Sequence, residues 1–328
     1  MIPSNKGSNV LYMTATNAPL QSTSLKPHGA LVAVQLIFGT WPIVGKIVLR
    51  ALPATGLVTF RIVGATVAFL LLRRVTKSVR IERRSDYARL AVYSLLGVVL
   101  NQFLFVKGLE LSTVINSALL GTTIPIFTLL VSVLLGYESG SWRIALGLLL
   151  AAGGVVYLIN PAEASFSRET NIGNLILLFN SMAYGAYLAI SQGMIKRYGA
   201  LTVLTWIFIF GSIVTLPIGG YHLAKISLAS VPAGVWFAML YIIVVPTVAA
   251  YYLNAWALGR VAPSIVAIYI YLQPLIAFAV APLILGESLN SRTWLAAALI
   301  FAGVATVTVR THSRTIEEVS ERPEALGH

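Results

Sequence analysis

A chain of 328 residues that is 57% hydrophobic and only 10% charged, with mean hydropathy +0.83, carries more apolar surface than a soluble core absorbs. The absence of cysteine removes disulfides, thiolate catalysis and zinc–sulfur sites. A net charge of +12 would point to nucleic acid only if the basic residues clustered on a soluble domain, and they lie instead in short connections between apolar segments.

Residues 1–29 are polar and lack the basic start, short apolar run and small-residue cleavage site of a secretory signal, so a leader and a retained first span are expected. Apolar windows of bilayer length then follow as Ala30–Leu49, Gly56–Leu72, Tyr87–Val106, Ser112–Leu135 and Trp142–Ile159. A polar linker at 161–171 separates these from Ile172–Met194, Leu201–Tyr221, Ala233–Leu258, Pro263–Leu285 and Thr293–Val309, and 310–328 reads as a solvated tail. The apolar–polar alternation of a membrane β-barrel strand is missing. The expected fold is an all-α polytopic membrane protein of ten transmembrane helices, in two five-helix repeats at 30–160 and 172–309.

The repeat is visible in the residues. Ser112 to Ser139 returns as Val261 to Ser288 at an offset of 149 residues, which carries Pro125 onto Pro274, Glu138 onto Glu287, Ser139 onto Ser288, Arg143 onto Arg292 and Gly154 onto Gly303. Proline, Glu-Ser, arginine and glycine in one register are a more specific signal than matched leucines. An odd number of spans per half turns the second half over, giving an inverted repeat with a pseudo-two-fold axis in the membrane plane. If both ends lie on one side, that side collects sixteen lysines and arginines against five opposite, with the run from Arg73 to Arg89 dominating. That places both termini in the cytoplasm and the chain in the cell (cytoplasmic) membrane.

On these residues the chain resembles the drug/metabolite transporter superfamily, in its ten-helix EamA-like branch. The resemblance rests on GTWPIVGK in the first span, TFRIVGA early in the second, the proline-then-glutamate pattern of spans four and nine, and spans five and ten rich in small residues. It covers about residues 30–310. It implies secondary transport, often export, of amino acids, other metabolites or toxic compounds, without an ATPase domain.

Lys46 and Arg61 are the basic residues placed within spans, where charge is costly unless it faces a cavity or a polar partner. Two readings stand for each: an anchor near the membrane surface, or a pathway group that attracts an anionic part of the solute. Glu138 and Glu287 stand at helix ends and read as structural, with Arg143 and Arg292 as candidate partners. No carboxylate lies deep in a span. Asn180, Tyr184, Tyr187 and Ser191 fall along one helical stripe of span six. With Trp41, Asn101, Gln102, Asn116, Tyr251, Asn254, Tyr269 and Gln273, the tyrosines Tyr184 and Tyr187 complete the cavity candidates alongside Lys46 and Arg61. For any one of them interhelical hydrogen bonding is the plainer role; as a set they exceed what glue requires. The paired Pro125 and Pro274 are the hinge candidates.

Phosphate-loop, zinc-protease and nucleophile-elbow motifs are all missing. The expectation is therefore a non-enzyme without cofactor or metal. Its expected partners are a small-molecule solute and the lipid bilayer, with no nucleic acid, and the chain is expected to act as a monomer. A membrane sensor or an intramembrane enzyme is the alternative. The first needs an output domain and the second a dyad or metal cluster within spans, and neither is found. A channel suits a rocking two-fold repeat less well than a carrier does.

Overall fold

The computed structural model describes residues 25–76, 79–136, 168–261 and 263–302, with isolated positions at 142, 146, 147, 149, 150, 153, 154, 157 and 306. Among the described residues there is no strand, and eight helices are long and apolar enough to cross a membrane. In chain order these are α1 Leu25–Leu49, α2 Ala54–Val75, α3 Arg84–Leu111, α4 Val114–Gly121 and Ile124–Leu134, α5 Arg168–Tyr198, α6 Ala200–Leu223, α7 Ala233–Leu258, and α8 Pro263–Ile268 and Leu272–Leu285. A shorter apolar helix, α9, spans Ser291–Ala302. The fifth expected span, Trp142–Ile159, lies largely outside the described residues, and so do Glu138 and Arg143. At Gly154, which is described, a Cβ would approach Ile300 of α9 to 2.7 Å, so glycine permits the close crossing of these two segments.

Local chemistry sets the helix ends. Pro53 and Pro232 precede α2 and α7 with extended backbone, where the missing N–H costs no helical bond. Gly199, at φ +77°, permits the sharp turn from α5 into α6, and Gly286, at φ +69°, ends α8 in the left-handed region. The Thr113 side chain caps α4 by accepting from the Asn116 N–H at 3.0 Å.

The 149-residue offset holds across the described helices that have a described counterpart. It carries the end of α1, Leu49, onto Tyr198 at the end of α5, and the start of α3, Arg84, onto Ala233 at the start of α7. It also carries the irregularities. A π turn at Leu95–Leu100 in α3 is matched by one at Ile243–Ala249 in α7, and the break at Thr122–Thr123 in α4 is matched by a 3-10 turn at Tyr269–Tyr271 in α8. The packing repeats as well: α3 and α4 pack on α5 as α7 and α8 pack on α1, while α2 and α6 pack on each other. The fold is thus two inverted repeats meeting along α2 and α6.

That central seam makes the symmetry visible in single bonds. Thr59 donates to the Thr215 carbonyl at 3.2 Å and Thr66 donates to the Phe208 carbonyl at 2.9 Å. At the offset Thr59 falls on Phe208 and Thr66 on Thr215, so the axis exchanges the two residue pairs, although both hydroxyl donors lie on α2. Gly219 lets the helices approach this closely, since a Cβ there would overlap the Thr59 hydroxyl.

The hinge candidates stand at segment starts. Pro125 and Pro274 lie in the first turn of the second segment of α4 and α8, just past the break in each. A proline there lacks an N–H that has no helical partner anyway, so each starts a new segment rather than bending an old one.

Candidate functional site

Between the halves, at mid-bundle, lies a cavity of about 70 Å³, room for a few water molecules. It is walled by α1, α2, α3, α4, α5, α7 and α8. Six pairs of its residues are images of one another at the offset: Gln35 and Tyr184, Gln102 and Tyr251, Phe105 and Asn254, Ser117 and Val266, Gly121 and Ile270, Ile124 and Gln273. The cavity therefore straddles the pseudo-two-fold axis. In four of these pairs an amide-bearing residue faces an aromatic or aliphatic one, so the backbone is symmetric and the chemistry is not.

Among the described residues Arg61 is the cavity's single charge, and it is only 2% exposed. Its guanidinium stacks over the Trp41 ring at 4.1 Å, and its Nε donates to Thr247 Oγ1 at 3.0 Å. The acceptor traces to a proline. Pro246, inside the π turn of α7, has no N–H to offer the Ile242 carbonyl, and the Thr247 hydroxyl donates to that carbonyl at 2.6 Å. The hydroxyl oxygen is thereby fixed toward Arg61.

Other polar side chains are spent on each other. Tyr251 donates to Asn101 Oδ1 at 2.8 Å, and the Asn101 amide donates to Asn180 at 3.0 Å. Asn254 donates to the Tyr184 hydroxyl at 3.0 Å, and Gln273 donates to Gln35 at 2.6 Å. Gln102, 1% exposed, faces the Tyr251 hydroxyl but has neither amide atom in hydrogen-bonding geometry with a partner. Asn101 and Gln102 follow directly on the π turn of α3, whose extra residue rotates the face that the helix presents. Trp41 and Phe105 complete the apolar part, their rings 5.2 Å apart.

Of the twelve expected cavity residues, Trp41, Arg61, Asn101, Gln102, Tyr184, Tyr251, Asn254 and Gln273 line this space. Four stand elsewhere. Lys46, near the end of α1, sends its long side chain to the Ser112 carbonyl, with the Glu110 carbonyl at 3.5 Å, in the connection between α3 and α4. Asn116 donates to Asn174 Oδ1 at 3.2 Å, on the face of α4 toward α5. Tyr187 packs on Gly97 in the π turn, where a Cβ would come within 2.6 Å of the ring, and is stacked on Tyr184 at 5.7 Å. Tyr269 meets His28 Nδ1 at 2.8 Å. Residues not singled out in the sequence also line the cavity, among them Gln35, Phe38 and Phe105. The repeat offset itself would have pointed to Gln35, which falls on Tyr184; Thr247 carries no such signal.

Both ends of the bundle carry contacts between one half and the other. At the end where α3 begins, Asp86, 1% exposed, accepts from the Tyr198 hydroxyl at 2.7 Å, with Arg197 at 3.4 Å and Arg89 at 3.5 Å. At the opposite end the Glu287 carboxylate accepts from the backbone N–H groups of Val114 and Ile115, at 2.8 and 3.0 Å. Glu287, for which Arg292 is the candidate partner in the sequence, here meets the positive N-terminus of α4. Among the described residues no group of three or more His, Cys, Asp or Glu could hold a metal ion.

Comparison with known proteins fits this architecture. The model of the EamA-like transporter family matches residues 26–160 and 171–309, one match per repeat. An uncharacterized transporter of Archaeoglobus fulgidus is 25% identical over 88% of this chain and 99% of its own. The uncharacterized transporter YetK of Bacillus subtilis is 22% identical over 91% and 92%, and a WAT1-related protein of Arabidopsis thaliana 23% identical over 93% and 88%. A protein of known crystal structure, 20% identical, covers 88% of this chain and 97% of that one with a TM-score of 0.61, which is a likeness of fold. With both repeats matched and relatives named as transporters along nearly their full length, the chain belongs to the EamA-like transporter family and is a multi-pass membrane transporter.

Proposed function

We propose that this transporter moves an amino acid or a related small organic metabolite out of the cell across the cytoplasmic membrane, by alternating access, with both termini in the cytoplasm. One observation carries the mechanism: a small cavity with polar and apolar walls lies on the axis between two inverted halves, and each end carries bonds from one half to the other. Breaking the Asp86 contacts opens the cavity to one side; breaking the Glu287 contacts opens it to the other. Inverted halves that exchange conformations convert the first state into the second. The segment starts at Pro125 and Pro274 are where α4 and α8 bend in that exchange. The basic connection between α2 and α3 supports a cytoplasmic Asp86 end.

Counterflow in proteoliposomes tests this. Vesicles loaded with one unlabelled metabolite from a panel of amino acids and their acid relatives are given a trace of the labelled form outside. Saturable accumulation above protein-free vesicles is expected, and Thr247→Val should reduce it by about tenfold, since a hydrogen bond to a charged group is worth about 1.5–3 kcal/mol. Accumulation no greater than in protein-free vesicles for every solute would overturn the reading.

A further inference from the structure

The narrower question, which rests on the transporter reading above, is what the cavity accepts. Two of its buried polar side chains stand out: a guanidinium with no anion and an amide with neither atom bonded. Arg61 uses Nε on Thr247, but its two terminal nitrogens make no hydrogen bond, and no carboxylate pairs with it among the described residues. Gln102 has an amide that neither donates nor accepts. The other lining amides each make at least one hydrogen bond: Asn101 with Tyr251 and Asn180, Asn254 with Tyr184, and Gln35 and Gln273 with each other. Among the described residues the lining contains no aspartate or glutamate.

Among the described residues the wall thus offers one full positive charge, one amide with both atoms unbonded and no negative charge. A buried cation without an anion is costly, and so is a buried amide without a partner. A planar carboxylate answers the first, because it matches the fork of the guanidinium with two parallel bonds. A neutral oxygen close to it answers the second, since the Gln102 amide can donate to a carbonyl or accept from a hydroxyl. An ammonium on the same carbon would be stripped of water beside Arg61 with no anion to receive it.

We infer that the solute is an organic carboxylate carrying a neutral oxygen function beside the acid group, a 2-hydroxy or 2-oxo acid, taken in preference to the amino acid of the same carbon skeleton. The carboxylate lies against Arg61, the neighbouring oxygen against Gln102, and the apolar remainder against Trp41 and Phe105.

The test uses counterflow by the purified full chain with two matched sets. One set is leucine, 4-methyl-2-oxopentanoate and 2-hydroxy-4-methylpentanoate; the other is phenylalanine, phenylpyruvate and phenyllactate. In the set exchanged faster, one of the acids should outpace its amino acid by about tenfold or more, the scale on which an unpaired polar group discriminates. Arg61→Gln should abolish acid exchange. Gln102→Glu, which supplies an anion where an ammonium would sit, should shift the preference toward the amino acid, a gain that a merely misfolded protein cannot show. Amino-acid exchange equal to or faster than the acids, acid exchange that survives Arg61→Gln, or a preference unmoved by Gln102→Glu would each overturn the assignment while leaving the transporter reading standing. If no member of either set exchanges and the wider panel of amino acids and acids also fails, both readings fall.

Discussion

The two ends of the bundle close by different means. At the α3 end a buried carboxylate, Asp86, holds side chains of the opposite half, the Tyr198 hydroxyl and the Arg197 guanidinium. At the other end a part-buried carboxylate, Glu287, holds not side chains but the first two backbone N–H groups of α4. The offset carries Glu287 onto Glu138 but Asp86 onto Val235, so one closure has a counterpart residue in the sequence and the other has none. A backbone duplicated with high fidelity has thus acquired two chemically distinct closures. Their strengths can be adjusted separately, which a perfectly symmetric carrier could not do.

Substitutions can break this comparison or sharpen it. The chain has no cysteine, so Ser117→Cys, placed in the cavity wall, gives a single reporter for membrane-impermeant maleimide. The largest effect is expected from Asp86→Ala. Arg197 and Arg89 are 47% and 62% exposed and contribute little, so the loss is chiefly the charged hydrogen bond to Tyr198, about 2 kcal/mol. That is about thirtyfold faster labelling from the α3 side alone. Equal acceleration from both sides would show that Asp86 holds the fold together rather than one end closed.

Glu287→Gln comes next. It keeps an oxygen for one of the α4 N–H groups and loses the charge that the helix N-terminus favours, about 1 kcal/mol, or about fivefold faster labelling from the opposite side. Labelling that quickens from the α3 side would refute the assignment of the two ends. The smallest effect belongs to Thr66→Val on the seam, which removes bonds to the Phe208 carbonyl and the Ser212 hydroxyl. About 0.6 kcal/mol of stability should go, read as a lowered melting temperature in detergent, with labelling unchanged from either side. A side-specific change there would place a closure at the axis.

Much of the architecture is legible in the sequence because lipid imposes length and hydropathy on every span, and because the repeat preserves prolines and a Glu-Ser pair in register. The cavity is legible only in part. Helical spacing groups Tyr184 with Tyr187, yet the first faces the cavity and the second fills the groove over Gly97, since one stripe of a helix is wide enough to touch two neighbours. Lys46 is placed in a span by its position, but a four-carbon stem carries its charge to the carbonyls between α3 and α4. Asn101 and Gln102, adjacent in sequence, both reach the cavity because a π turn precedes them, and nothing in residues 95–100 announces that turn. In α7 the cause is visible as Pro246, though its result, a threonine oriented toward an arginine 186 residues away in the chain but adjacent in space, is a tertiary fact.

The crossed threonine bonds on α2 and α6 also set a lever. Thr59 and Thr66 stand about 5 Å along the helix from the point midway between them, whereas the far end of α2 at Val75 is about 18 Å away at 1.5 Å per residue. A rocking of about 10° about that point displaces the bonds by about 1 Å and the end by about 3 Å. Taken sideways to a bond of about 3 Å, the first displacement lengthens it by about 0.2 Å and the second by more than about 1 Å, so a hydrogen bond survives the first and not the second. The seam can therefore serve as a fulcrum that keeps its own bonds while the contacts at the rim are made and released.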